Sequence, residues 1–152
     1  MERQTERLLG HTRELLGQRP ARYAPGFGHV PEQTGIYLIS CFDARIGQEV
    51  HLYVGRSGRR TIRVRLQEHA RAYNATSTTQ QVQQWLVDVE RCSREDVTEF
   101  MREHGRFRWL AVPDDNAPDH HLTYPWQTRA NLERFVQAVL QTPVNLKRDH
   151  EH

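Results

Sequence analysis

Two tyrosines, an arginine and a histidine stand at spacings that could bring a phenol pair, a guanidinium and an imidazole together. Tyr37 ends the tripeptide Gly35-Ile36-Tyr37 at the head of one apolar run, and Tyr53 opens Tyr53-Val54-Gly55 at the end of a second. If the runs pair as a hairpin symmetric about Arg45, opposed residue numbers sum to 90. Tyr37 then lies across from Tyr53 on one face, Cβ atoms about 5 Å apart. A slip of one residue would separate them to opposite faces. Gly55 follows, where a side chain would crowd an approaching phosphate. Arg65 and His69 are four apart and share a helix face, whereas Arg63 points about 200° away from Arg65.

The charge distribution supports an anionic ligand. The 152 residues carry a net charge of +2, and of the 21 basic residues all but Lys147 are Arg. Between Arg56 and Arg71 there are six Arg (56, 59, 60, 63, 65 and 71) and one acid, Glu68. That segment carries +5 and leaves −3 for the remainder. Clustered Arg suits bidentate phosphate binding. The alternative is a solvated helix face in a chain that prefers Arg to Lys.

Length and composition bound the rest. With 37% hydrophobic and 26% charged residues the chain reads as one globular domain with a short appendage. No apolar run is long enough to span a bilayer, and the charged start MERQTERLLG does not read as a signal peptide. Cys41 and Cys92 form no CxxC pair, which disfavours a disulfide scaffold or zinc module and makes a reducing cytoplasm the expectation.

The elements that must position these residues read in the order α, β, β, α, α, α, β, α. Residues 2–17 form a helix with Leu8, Leu9, Leu15 and Leu16 on one stripe, and 18–34 form a loop. Strands at 34–42 and 50–54 flank a turn at 43–49. Thr61 caps a helix running to about Tyr73. Further helices follow at 80–91 and after the capping pair Ser93 and Asp96, with Gly105 as the stop. Phe107–Val112 is a third strand, and 113–125 a loop in which His120 and His121 read as polar loop residues rather than a metal pair. Thr128 caps a helix over 128–141, and Pro143 ends it. Trp85, Trp109 and Trp126 read as packing residues, although Trp126 could stack on a base.

Gly35-Ile36-Tyr37, Tyr53-Val54-Gly55 and Arg65-Leu66-Gln67-Glu68-His69 together resemble the GIY-YIG nuclease family, the last as its RLxxH pattern. The run Leu132-Glu133 to Pro143-Val144-Asn145 is similar to the family's ending. The resemblance covers about 34 to 147. It departs in one place: the gap from Tyr53 to Arg65 is longer by two than the common spacing, which would select Arg63. The His four residues on favours Arg65, with the extra residues absorbed in the Arg56–Arg60 loop.

The resemblance implies an α+β GIY-YIG fold: a small three-stranded antiparallel sheet flanked by helices, a helical insertion at about 80–104, and a helix-and-linker arm over 1–33 preceding a nuclease domain at 34–152. It implies hydrolysis of a DNA phosphodiester with one divalent cation, Mg²⁺ or Mn²⁺, per active site. Tyr53 would act as base or water-orienting phenol, Tyr37 would orient the water or hydrogen-bond Tyr53, and Arg65 would stabilise the phosphorane. His69 would contact the phosphate or shuttle a proton, and Glu133 would hold the metal. Asn145 would join the site or tie down the C-terminal backbone. Arg56, Ser57, Arg59, Arg60, Arg63 and Arg71 would bind DNA. A compact nuclease of the restriction kind must cut two strands with one site per chain, so a homodimer is expected; a monomeric structure-specific or nicking nuclease, a non-catalytic nucleic-acid-binding module, or a subunit with a protein partner are the alternatives. Each residue also has a plainer use: Tyr37 and Tyr53 as core aromatics, Arg65 and His69 as a solvated face, and Glu133 as a surface acid beside Arg129.

Overall fold

The computed structural model describes residues 2–112 and 125–150, without the side chains of 2–4, 125–128 and 148–150. The readings made for the 113–124 loop, including His120 and His121, and for the Trp126 side chain lie outside the described residues. In chain order the elements are α1 (Glu2–Leu16), β1 (Ala21–Arg22), a 3-10 turn (Pro25–Phe27), β2 (Gly35–Asp43), β3 (Gln48–Arg56), α2 (Ile62–Ala70), α3 (Gln81–Asp88), α4 (Val97–His104), β4 (Gly105–Ala111), α5 (Pro125–Leu140) and α6 (Pro143–His150). The class is α+β, with one antiparallel sheet flanked by helices. Its strand order is β1-β4-β2-β3. The sheet therefore has four strands where three were expected, because Ala21-Arg22 pairs with Phe107 and Arg106 at the edge of β4. Two residues are too few to show an alternating pattern in a segment rich in Pro and Gly.

β2 is the central strand, buried from Gly35 to Cys41, which accounts for its nearly continuous apolar sequence. Its alternation divides two cores. Tyr37, Ile39 and Cys41 pack with Leu52, Tyr53, Ile62, Leu66, Met101 and Phe107 under α2, α3 and α4. Ile36 and Leu38 pack on the other face with Leu15, Val54, Leu110, Leu132 and Val136 from α1, β3, β4 and α5. The N-terminal helix thus packs against its own sheet, with Leu15 fully buried.

The hairpin register differs from the symmetric expectation. Tyr37 pairs with Gly55 and Ile39 with Tyr53, while Ser40 pairs with His51. Leu52 is therefore an extra residue, a β-bulge. Asp43 pairs with Gln48 around a four-residue turn that Gly47 closes at a positive φ of 65°. Continuing that pairing without a bulge would set Leu38 opposite Tyr53 and turn the two tyrosines to opposite faces. The bulge returns Tyr53 to the face of Tyr37.

Several helix boundaries also moved, with α3 ending at Asp88 and not at 91. α2 stops at Ala70 rather than near Tyr73 because its last carbonyls are taken from outside. The side-chain amide of Gln83 donates to the carbonyls of His69 and Arg71, that of Gln80 to those of Arg71 and Ala72, and Arg102 donates to that of Ala70. These groups come from the 80–104 segment, so α3 and α4 brace the end of α2. α5 ends at Leu140, ahead of Pro143 as expected, but begins at Pro125, so Thr128 lies inside the helix and does not cap it. Pro143 then opens a further helix, α6, since proline is well suited to a first helical turn.

Candidate active site

Tyr37, Tyr53 and His69 converge in the core under α2. The Tyr37 ring centroid is 6.2 Å from that of Tyr53 and 5.5 Å from that of His69, and Tyr53 and His69 are 5.2 Å apart. Tyr37 and His69 are fully buried and Tyr53 nearly so. The Tyr37 hydroxyl and His69 Nε2 are 3.0 Å apart. Gly55 is what admits the Tyr37 ring: a Cβ there would lie 2.4 Å from both Cζ and the hydroxyl oxygen. The sequence reading reserved this space for a phosphate, but the Tyr37 ring occupies it.

Protonation states follow from the burial. Removal from water, with Tyr53 alongside, pushes the Tyr37 hydroxyl far above its ordinary value; the charge and hydrogen bond of Arg65 act against that rise, and Glu133 adds to it. Burial and the Arg65 charge push His69 down to about 3. Burial works against the Arg65 charge too, yet Tyr37, Glu68 and Tyr53 outweigh it and hold the guanidinium protonated. The contact therefore joins a protonated phenol to a neutral imidazole. His69 Nδ1 is buried and has no hydrogen-bond partner.

Arg65 and Arg63 diverge as helical geometry requires. Arg65 faces Tyr37 and reaches Glu68, with Nη1 3.4 Å from Oε2. Arg63 turns to the preceding loop, donating to the carbonyls of Val30 and Gly28 and pairing with Glu32 at 2.9 Å. Glu133, half-buried on α5, approaches closely enough for its charge to act on Tyr37.

Asn145 lies elsewhere in the arrangement. Val54 turns its N–H and C=O outward from the edge strand β3, and Asn145 meets both: Oδ1 accepts from the N–H at 2.9 Å and Nδ2 donates to the carbonyl at 3.0 Å. Thr142 donates to the same Oδ1 at 2.5 Å, and Gln137 donates to the Val54 carbonyl. Asn145 ties α6 to the strand that carries Tyr53.

The remaining basic-segment residues separate into two groups. Arg56, Arg59, Arg60 and Arg71 are exposed. Ser57 is fully buried: its hydroxyl accepts from the Gly35 N–H at 2.7 Å, and its own N–H donates to the Gly35 carbonyl. Buried Arg129 donates to the Ser57 carbonyl at 3.4 Å. Ser57 and Arg63 thus serve internal contacts, a role that their place in an Arg-rich run did not suggest. Glu68 was passed over as a site residue; its one visible signal was being the only acid among six arginines.

A cavity of about 470 Å³ lies at the other end of the hairpin, between its turn and α3 and α4, and shares no residue with this cluster. Among the described residues no group of three or more His, Cys, Asp or Glu gathers as a metal site. Among the described residues, Glu133 is a hard carboxylate whose charge reaches the Tyr37 phenol. One carboxylate with water completing the shell fits Mg²⁺, which retains much of its hydration, better than a metal requiring several protein ligands. Comparisons with protein-family models, with curated proteins and with solved structures find no match to this chain.

Proposed function

We propose that this chain is a Mg²⁺-dependent DNA endonuclease of the GIY-YIG kind, site-specific and acting as a homodimer. The observation that carries the reading is the convergence of Tyr37, Tyr53, Arg65 and His69 with the Glu133 charge, from four separate elements. A phosphodiester approaching the rim of this cluster meets Arg65, whose fixed positive charge offsets the charge that develops on the phosphorane. Tyr53 is the phenol that orients the attacking water, since the Tyr37 hydroxyl is already engaged by His69. His69 stays neutral across the working pH range and fixes the Tyr37 hydroxyl. Glu133 would hold the divalent ion, which supplies Lewis-acid stabilisation of the leaving oxygen. Exposed Arg56, Arg59, Arg60 and Arg71 would neutralise backbone phosphates around the site. Two such sites in a dimer would serve the two strands of a duplex.

The experiment is cleavage of supercoiled and long linear DNA by purified protein, with Mg²⁺ or EDTA, beside Glu133→Ala. Discrete metal-dependent fragments, lost in the variant with duplex affinity retained, are expected. Nicks alone would replace the site-specific reading with a nicking or structure-specific one. Retarded mobility without cleavage would leave a binding module.

A further inference from the structure

Glu68 is a buried carboxylate between two arginines, and its contacts are lopsided. Arg60 Nη1 lies 2.6 Å from Oε2 and Arg65 Nη1 lies 3.4 Å from the same oxygen. Oε1 is buried and has no hydrogen-bond partner. The side chains differ sharply in access: 5% of Glu68 is exposed, 16% of Arg65, and 59% of Arg60. Arg65 is held from inside by Glu68 and Tyr37, whereas Arg60 reaches in from the surface loop to share an oxygen already engaged.

We propose that Glu68 is an internal stand-in for a phosphodiester: it holds Arg65 in position permanently and Arg60 only until a nucleic-acid phosphate takes Arg60 over. This rests on the nuclease reading for its ligand, and adds a positioning residue and a ligand exchange to it. An anionic oxygen between guanidiniums is the arrangement that a bound phosphate would make. Arg65 cannot leave without stranding a charge in the core, which is costly, while exposed Arg60 gives up only a partly screened pair. Glu68 therefore lowers the affinity for DNA in the free protein and at the same time keeps Arg65 aimed at Tyr37.

The test is binding of a short duplex in EDTA, where cleavage cannot intervene, by the full chain and by Glu68→Gln, Arg60→Ala and the double variant. Glu68→Gln nearly preserves shape and removes the competing charge, so its affinity should rise about two- to fivefold at low salt, the size of a lost surface-accessible pair. The rise should vanish in the Arg60→Ala background. With Mg²⁺, the turnover of Glu68→Gln should fall although it binds more tightly, which a merely structural role does not produce. Circular dichroism and urea unfolding verify that the variants are folded; should Glu68→Gln not fold, Glu68→Asp, whose shorter carboxylate loosens Arg60, carries the same expected gain in affinity. Unchanged or weaker affinity in a folded variant, or a gain that persists without Arg60, overturns the proposal. A wild-type chain that binds duplex but cleaves nothing removes the nuclease reading while the binding comparison still decides the role of Glu68. A wild-type chain that binds no duplex overturns both.

Discussion

Tyr37 fills the space above Gly55, and that contact sets a sharp sequence requirement at the turn of the second tripeptide. A methyl group at residue 55 would lie 2.4 Å from the phenol ring, in a strand paired on β2 and against a fully buried Tyr37. Gly55→Ala is therefore expected to cost about 1–3 kcal/mol, the usual range for overpacking, read by urea denaturation; a change within a few tenths would show that the ring yields. His69 makes a second residue-scale prediction. Its folded pKa of about 3 lies below the ordinary 6.5, so above pH 6.5 both states are neutral and no penalty exists. Below 6.5 the unfolded chain takes up a proton that the folded one refuses, and stability falls by about 1.4 kcal/mol per pH unit until the folded imidazole titrates. Unfolding free energies between pH 7 and 5 check this, with His69→Gln removing the contribution. An unchanged slope in the variant would place the proton elsewhere.

At the scale of elements, the site depends on devices that fix strand β3. The bulge at Leu52 turns Tyr53 onto the face of Tyr37, and Asn145 satisfies both outward backbone groups of Val54 beside it. Asn145→Ala strands the buried Val54 N–H and the Thr142 hydroxyl, while the Val54 carbonyl keeps Gln137, and it frees α6, with an expected loss of about 1–3 kcal/mol. Because Asn145 acts through the backbone, activity should return toward the wild-type value when the variant is assayed well below its melting temperature. Inactivity in a fully folded variant would instead place Asn145 at the reacting atoms. The hairpin itself was legible from its apolar runs and turn. Its register was not, because a bulge leaves no mark in an apolar strand: Leu52 and Tyr53 are both acceptable β residues whichever of them is extra. α6 was missed for a similar reason, since Pro143 reads equally as a helix stop and as a first turn.

For the whole molecule, charge is divided between an interior set and an exterior set. Arg63 and Arg65 are committed to internal partners, Arg56, Arg59 and Arg71 are exposed around α2, and Arg60, also exposed, reaches from the surface to Glu68. If the four exposed arginines each neutralise one phosphate, the slope of log affinity against log salt is about −3.6, or roughly a hundredfold loss between about 50 and 200 mM salt. Titrations at several salt concentrations check it, and Arg59→Ala should reduce the slope by about one; a flat salt response would remove the exposed arginines from the interface. α1 belongs to the same whole, because Leu15 closes the core beneath β2 and β4. No helix among the described residues is long and apolar enough to cross a membrane.

The sequence by itself determined the α+β class, the positions of the main helices and strands, the basic segment, and the pairing of Arg65 with His69 on one helix face. These are short-range properties, set by hydrophobic period, turn residues and helical pitch. Only the tertiary structure decided which groups meet: that the Tyr37 ring claims the space above Gly55, that Ser57 is a strand clamp, that Asn145 holds a sheet edge, and that Glu68 links Arg60 to Arg65. Each of these joins residues through a bulge, an edge or a crossing between layers. Such contacts depend on where the chain returns in space, and the residue types of one segment carry no record of the segment that will be packed against it.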